Sequence, residues 1–277
     1  MRGRKTKVGV LGPRGTYAEI AARVQFGDSK IVPYPTITDV VEAVVHGKVE
    51  MGVIPLESLR EGSVGETLDT IAWHDVKIQS EMVVPITHSL LGVPGAKIGQ
   101  ITQVLSHPQA IAQCREFLHK NFPKAELIEM SSTAKAAEQV SKLRQPHMAV
   151  VGPQELAKLY KLKVLKDEIQ EGEINLTRFV CVAKKDSKPT GHDKTSIVFS
   201  TAEDRPGILY EILGEFAARN INLTKIESRP SKKVLGDYLF FVDFEGHRED
   251  SRQREALETI KKKVAMLKVL GSYPKKF

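Results

Sequence analysis

Thr177 and Arg178 stand side by side in Asn175-Leu176-Thr177-Arg178-Phe179, at the entrance to an apolar run that continues through Val180, Cys181, Val182 and Ala183. The β-branched and apolar content of the run reads as a buried strand. A hydroxyl can donate a proton or a hydrogen bond, and a guanidinium fork fits a carboxylate. The pair therefore has the chemistry of acid assistance to a bound anion. Taken alone, the segment is more simply read as an ordinary strand residue beside a solvated edge. Its partners elsewhere in the chain decide between the two.

Four other polar clusters recur at element boundaries. Gly12-Pro13-Arg14-Gly15 follows a strand at 8–11, and Thr16 with Glu19 three residues on reads as a capping box for a helix to about 25. Such a turn sets free backbone amides beside a positive dipole end, an anion cradle. Its spacing fits neither a dinucleotide fingerprint nor a Walker loop, and a plain βα turn satisfies it equally. Glu57, Ser58, Glu61 and Gly62 lie in a polar loop at 55–63. Ser106-His107-Pro108 opens a helix with proline near the first turn, and Gln109 and Gln113 follow on one face. Ser131-Ser132-Thr133 caps a further helix to about 143.

The elements that must position these groups alternate between strand and helix. Helices are expected at 38–46, 64–73, 108–121 and 132–143, and strands at 51–54, 103–105, 126–129, 148–152 and near 164. A long extended stretch covers 76–91, broken by Pro85. This order implies a mixed or parallel α/β architecture. Extended stretches near 80–90 and 166–179 then join two lobes by two crossings. Ligands would sit between the lobes against helix N-termini, with all five clusters around one cleft.

Residues 186–193 are polar with proline and glycine, a linker. Beyond it the order is strand 195–200, helix 206–219, strand 222–228, strand 238–245, helix 250–267 and strand 269–273. Leu257, Ile260, Val264 and Leu267 form the stripe of the second helix. A βαββαβ order gives a four-stranded antiparallel sheet with both helices on one face, the ferredoxin-like arrangement.

Composition sets the outer bounds. The chain has 277 residues, 41% hydrophobic and 27% charged, with a net charge of +7. Those values fit a soluble globular protein that favours anionic ligands. No interleaving of basic and aromatic residues points to nucleic acid. Cys114 and Cys181 are far apart, each in an apolar pattern, so buried free thiols are expected rather than a disulfide or a metal site. His88, His107 and His147 lack metal-ligand spacing, and core or cap roles are expected for them. No apolar run reaches the length of a signal-peptide core or a membrane span, and a cytoplasmic protein is expected.

Together these stretches resemble prephenate dehydratase followed by an ACT regulatory domain. The motifs in order are residues 12–17, Pro55 to Val64, Ser106 to Ala110 with Gln113 and Cys114, Ser132 to Ala134, and Asn175 to Phe179. In the second domain, Pro206 to Tyr210 and Glu227-Ser228-Arg229-Pro230 match the family's phenylalanine-site motifs. The resemblance implies an α/β fold. A two-lobed, periplasmic-binding-protein-like catalytic domain would span 1–185, with one lobe from 1–85 plus 166–185 and the other from 86–165. The ACT domain would span 194–277.

It also implies conversion of prephenate to phenylpyruvate, water and carbon dioxide, without metal or other cofactor. Thr177 would assist the leaving hydroxyl, and Glu57, Gln113 and Ser106 would share the catalytic role. Thr16, Ser58, His107, Ser132, Thr133, Arg178 and Phe179 would bind substrate. L-Phenylalanine would inhibit at a site of Gly207, Ile208, Leu209, Glu227, Ser228, Arg229 and Pro230, between the ACT domains of a homodimer or homotetramer. The family's usual Pro-x-Glu-Asn-Ser stands here as Pro55-Leu56-Glu57-Ser58-Leu59, which would change the loop's grip on substrate. Arogenate dehydratase and a non-catalytic aromatic amino-acid sensor are the alternatives.

Overall fold

The structure, a computed structural model, describes residues 5–172, 175–203, 205–232 and 236–276. The outermost ends of the expected domains, 1–4 and 277, lie outside these.

The N-terminal lobe holds β1 (Lys7–Leu11), α1 (Tyr17–Phe26), β2 (Lys30–Tyr34), α2 (Ile37–Val45), β3 (Met51–Ser58), β4 (Gly62–Ser63), α3 (Gly65–Trp73) and β5 (Lys77–Ile86). The second lobe holds β6 (Ser89–Gly92), β7 (Gln103–Ser106), α4 (Pro108–Gln113), α5 (Arg115–Asn121), β8 (Glu126–Glu129), α6 (Thr133–Leu143), β9 (Met148–Gly152), α7 (Glu155–Leu159) and β10 (Lys163–Lys166). The chain then returns to the first lobe as β11 (Asn175–Ala183). Strand order is β2-β1-β3-β11-β5 in the first sheet and β10-β6-β9-β7-β8 in the second. Two α/β lobes joined by two crossings give the layout of a periplasmic-binding-protein-type scaffold.

The crossings are bonded to each other. The His88 amide donates to the Gln170 side chain at 2.8 Å, and the His88 carbonyl accepts from the Ile169 amide at 2.8 Å. The lobes also meet at the turn before α1. A side chain at Gly15 (φ +86) would come within 2.5 Å of Leu156 on α7, so glycine permits that approach. β11 runs antiparallel between β3 and β5 and is apolar on both faces. Phe179 and Cys181 pack with α1, while Val180 and Val182 face α2, α3 and the C-terminal domain. That period of two sends successive β11 side chains to opposite compartments.

The C-terminal domain comprises β12 (Asp193–Thr201), α8 (Ile208–Ala217), β13 (Leu223–Pro230), β14 (Tyr238–Glu245), α9 (Ser251–Lys261) and β15 (Val264–Pro274). Its antiparallel sheet has the order β13-β14-β12-β15. Phe199, Val242 and Phe244 meet α8 and α9 on one face. Val198, Leu239, Phe241, Leu270 and Tyr273 join the N-terminal lobe on the other. A Cβ at Gly271 would fall 2.2 Å from the Ile78 carbonyl, so β15 and β5 pack backbone against backbone.

Three expected elements differ. The polar loop expected at 55–63 is strand β3 as far as Ser58 and pairs back through β4 at Gly62–Ser63. The helix expected at 108–121 breaks at Cys114 (φ −118) into α4 and α5. α9 stops at Lys261, and Val264 and Leu267 belong to β15, from which they still reach the same core. A helical stripe and a strand converging on one core leave similar apolar spacing. Both cysteines are buried free thiols, and burial pushes each up to about 12. Among the described residues, no helix is long and apolar enough to cross a membrane, and no cluster of three or more His, Cys, Asp or Glu is placed to hold a metal ion.

Candidate active site

A cleft of about 560 Å³ opens between the lobes. Thr177 is 9% exposed and lines it, because β11 pairs Thr177 with Ser58 of β3 and both side chains fall on the cleft side. Ser58 donates to the Asn175 side chain at 3.3 Å, and Asn175 and Phe179 also line the wall. Leu11, Ile37, Val64 and Ile86 supply apolar surface beside them.

Three helix starts converge on the same space. Thr16 is the N-cap of α1, but its hydroxyl donates to the Leu11 carbonyl at 2.7 Å instead of capping. Glu19 accepts from the Gly15 amide at 2.8 Å, so the expected reciprocal capping box is not made. Thr16, Tyr17 and Ala18 nonetheless line the cleft, with the first amides of α1 free of intrahelical partners. Ser132 caps α6 by accepting from the Lys135 amide at 3.0 Å, which leaves Thr133 at the helix start. His107 caps α4 and accepts from the Gln109 amide at 3.3 Å. Burial holds the His107 ring below its ordinary value, and Glu129 opposes that only in part. With Nδ1 accepting, the proton of the neutral ring sits on Nε2. His107, Gln109, Gln113, Ser132 and Thr133 form the second-lobe wall.

Three expected site residues lie elsewhere. Arg178 is 6% exposed and points away from the cleft, since it follows Thr177 on the strand. Its guanidinium pairs with Glu81 at 2.8 Å and donates to Asp243 and the Tyr273 hydroxyl, each at 2.8 Å. Burial opposes its charge, but Tyr273, Asp243 and Glu81 outweigh that and hold it above its ordinary value.

Glu57 is paired with Arg178 and faces the C-terminal domain, 3.5 Å from Arg178 and 3.5 Å from Lys225. Simple alternation from the buried Val53 would have put Glu57 on the cleft side. A bulge in β3 opposite the Arg178–Phe179 step turns it over. Ser106 is fully buried at the end of β7, and its hydroxyl donates to the Val151 carbonyl at 2.5 Å. It ties two strands together instead of lining the cleft.

The described lining residues include no lysine or arginine, and Glu61 is the charged group among them. An anion here is therefore met by helix-terminal amides and neutral donors. Sequence reasoning missed Tyr17 and His88, which also line the cleft. Their rings meet edge to face at 6.0 Å, and the Tyr17 hydroxyl donates to the Thr87 carbonyl. Tyr17 closes the motif at 12–17 without a role assigned to it, His88 was expected in a core or cap role, and the crossing strand brings the two together.

The phenylalanine-site motifs divide in the same way. Gly207 (φ +85) is the N-cap of α8, with Ile208 and Leu209 at the helix start. On β13, Glu227 and Arg229 are paired with Phe241 and Leu239, whose side chains face the N-terminal lobe. Ser228 pairs with Phe240 on the helix side. Arg229 reaches Asp69 of α3 at 3.1 Å, and Lys225 donates to the Ser63 hydroxyl. Glu227 and Arg229 thus lie on the sheet face opposite α8, while Ser228 shares its side.

Comparison with known proteins matches this architecture. Residues 8–187 fit the prephenate dehydratase family and residues 195–261 the ACT domain. The bifunctional chorismate mutase/prephenate dehydratase of Aquifex aeolicus is 47% identical over 98% of this chain and 74% of its own. The prephenate dehydratase of Methanocaldococcus jannaschii is 42% identical over 95% of this chain and 96% of its own. A relative named arogenate dehydratase 2, from Petunia hybrida, is 39% identical over 98% of this chain and 72% of its own. The crystal structure of the Arthrobacter aurescens prephenate dehydratase in complex with L-Phe superposes with a TM-score of 0.91 at 35% identity, covering 98% of this chain and 90% of that one. With two lobes, a helix-lined cleft and the C-terminal sheet all accounted for, the chain belongs to the prephenate dehydratase family and carries an ACT domain.

Proposed function

We propose that this chain converts prephenate to phenylpyruvate, water and carbon dioxide in L-phenylalanine biosynthesis, and that L-phenylalanine inhibits it through the ACT domain. The observation that carries this reading is the Thr177 hydroxyl facing a cleft onto which three helix N-termini converge. Prephenate offers two carboxylates and a ring hydroxyl to that set. The bond to the ring carboxylate breaks and its electron pair enters the ring. The opposite carbon–oxygen bond breaks, and the oxygen leaves as water after taking up a proton. Aromatisation drives the step. Amides at the starts of α1 and α6 receive the carboxylates, while Phe179, Leu11 and Ile37 enclose the ring.

Thr177 donates to the departing oxygen, and any proton it gives is recovered from solvent. A threonine hydroxyl is a very weak acid, so polarisation by the donor set does most of the work. Such an acid is worth roughly 10²–10⁴ in rate. No metal or other cofactor enters this scheme.

At the ACT domain, the first amides of α8, after Gly207, receive the carboxylate of phenylalanine, with Ser228 on the same side. β13 is the edge of its sheet and offers the face for a second copy, making a homodimer or homotetramer in the cytoplasm. Glu227 and Arg229 carry the signal to the catalytic lobe rather than holding the ligand. The L-Phe complex of the A. aurescens relative supports this ligand class.

The test is a side-by-side assay of prephenate and arogenate with and without phenylalanine. Phenylpyruvate from prephenate, suppressed by phenylalanine, is expected. Preference for arogenate would move the reading to arogenate dehydratase, and no turnover of either would leave an amino-acid sensor.

A further inference from the structure

His88 sits on the crossing between β5 and β6, 3% exposed, and its imidazole touches both lobes. Nδ1 lies 3.4 Å from the Tyr17 hydroxyl on α1, and Nε2 lies 3.3 Å from Oε1 of Gln113 at the end of α4. The second crossing clamps both partners. Ile169 and Gln170 hold the His88 backbone, and the Glu171 amide donates to the Gln113 carbonyl at 2.9 Å. Three consecutive residues thus fix the frame in which the two side chains meet.

Burial keeps the His88 ring neutral, pulling it down to about 4. A neutral imidazole has one proton to place, and the Gln113 side-chain oxygen can only accept. The proton therefore belongs on Nε2. Nδ1 is then bare and lies 3.4 Å from the Tyr17 oxygen, whose one hydrogen goes to the Thr87 carbonyl. With its oxygen engaged, the Gln113 amide has its two N–H donors left for the cleft. The reverse orientation would aim a carbonyl oxygen at an anion.

We propose that His88 is a positioning residue: its Nε2–H fixes the Gln113 side chain so that the NH₂ end, and not the carbonyl end, meets the anionic substrate. This rests on reading the cleft as the prephenate site.

Two measurements test it. Nitrogen NMR of ¹⁵N-histidine-labelled protein, with His88 assigned by its loss in His88→Leu, is expected to show Nε2 protonated and Nδ1 bare. The opposite tautomer would overturn the proposal. In a kinetic cycle, His88→Leu and Gln113→Ala should each lower kcat/KM for prephenate by roughly tenfold, mainly through KM. The double variant should be no worse than Gln113→Ala alone. His88→Gln, which can place an N–H near the lost Nε2, should recover most of the loss. Additive losses, or an undiminished His88→Leu, would sink the inference while leaving the enzyme reading intact. A wild type without turnover would remove both.

Discussion

Arg178 donates to the Asp243 carboxylate at 2.8 Å across the junction between the N-terminal lobe and the ACT domain. Lys194 shares Glu81 with it at 3.1 Å, and Ser196 bonds both Asp243 and Tyr273. Burial and the neighbouring Arg178 pull Lys194 below its ordinary value, so two cations and two carboxylates balance one another in a buried contact. Removing one partner leaves the others uncompensated, at a cost of about 3–5 kcal/mol. Arg178→Met should accordingly lower the urea midpoint strongly, with the KM for prephenate changed by no more than about twofold where the variant is folded. A large rise in KM at an unchanged midpoint would return Arg178 to the cleft.

Thr177 carries the opposite expectation. It is small, it lies at the cleft wall, and among the described residues its hydroxyl makes no hydrogen bond that the fold needs. Thr177→Ala should lower kcat by roughly 10²–10⁴ with the melting temperature nearly unchanged, and Thr177→Ser should keep part of the rate. Undiminished turnover in the alanine variant would take Thr177 out of the mechanism.

These two neighbours also mark where sequence reasoning stops. Apolar periodicity made the two lobes, the crossings and the βαββαβ order of the C-terminal domain legible, because each element buries a patterned face. The helix starts at His107 and Ser132 were legible because caps have fixed chemistry, whereas Thr16 stands at its helix start with its hydroxyl turned back to the Leu11 carbonyl. Arg178 and Glu57 were not. Their fate depends on which compartment lies behind the sheet and on one bulge in β3, and neither leaves a mark in a linear pattern. Ser106 resembled a site hydroxyl because nothing in its neighbours shows the Val151 carbonyl that it satisfies. His88 was unreadable for the converse reason, since both its partners come from distant segments.

His88 gives stability a pH dependence of defined sign. Burial lowers it from 6.5 to about 4, so the unfolded chain takes up a proton in that window and the native state does not. Native stability is unaffected by this group above pH 6.5 and is lost as pH falls towards 4, by about 3 kcal/mol in all. Urea midpoints of wild type and His88→Leu between pH 7 and 4 isolate the effect from carboxylates common to both. The wild type should lose more stability on acidification; parallel curves would show that the ring is charged or solvated in the native protein.

Asp69 joins the ACT edge strand to the cleft rim. Burial alone would raise its carboxyl, but hydrogen bonds from Arg229 and Lys232 hold it below its ordinary value. α3, which carries Asp69, begins immediately after Gly62, Ser63 and Val64 of the cleft wall. Gly65 opens that helix, and a Cβ there would fall 2.5 Å from the Arg229 guanidinium. Gly65→Ala therefore pushes Arg229 off Asp69 without changing any charge, while alanine suits the helix better than glycine. The expected result is weaker inhibition, with the phenylalanine concentration for half-inhibition raised by roughly fivefold or more, the scale of a coupling near 1 kcal/mol, and kcat without phenylalanine nearly unchanged. Inhibition curves superimposable on wild type would show that the signal bypasses the Arg229–Asp69 contact and reaches the cleft through the Arg178 cluster or another part of the domain junction.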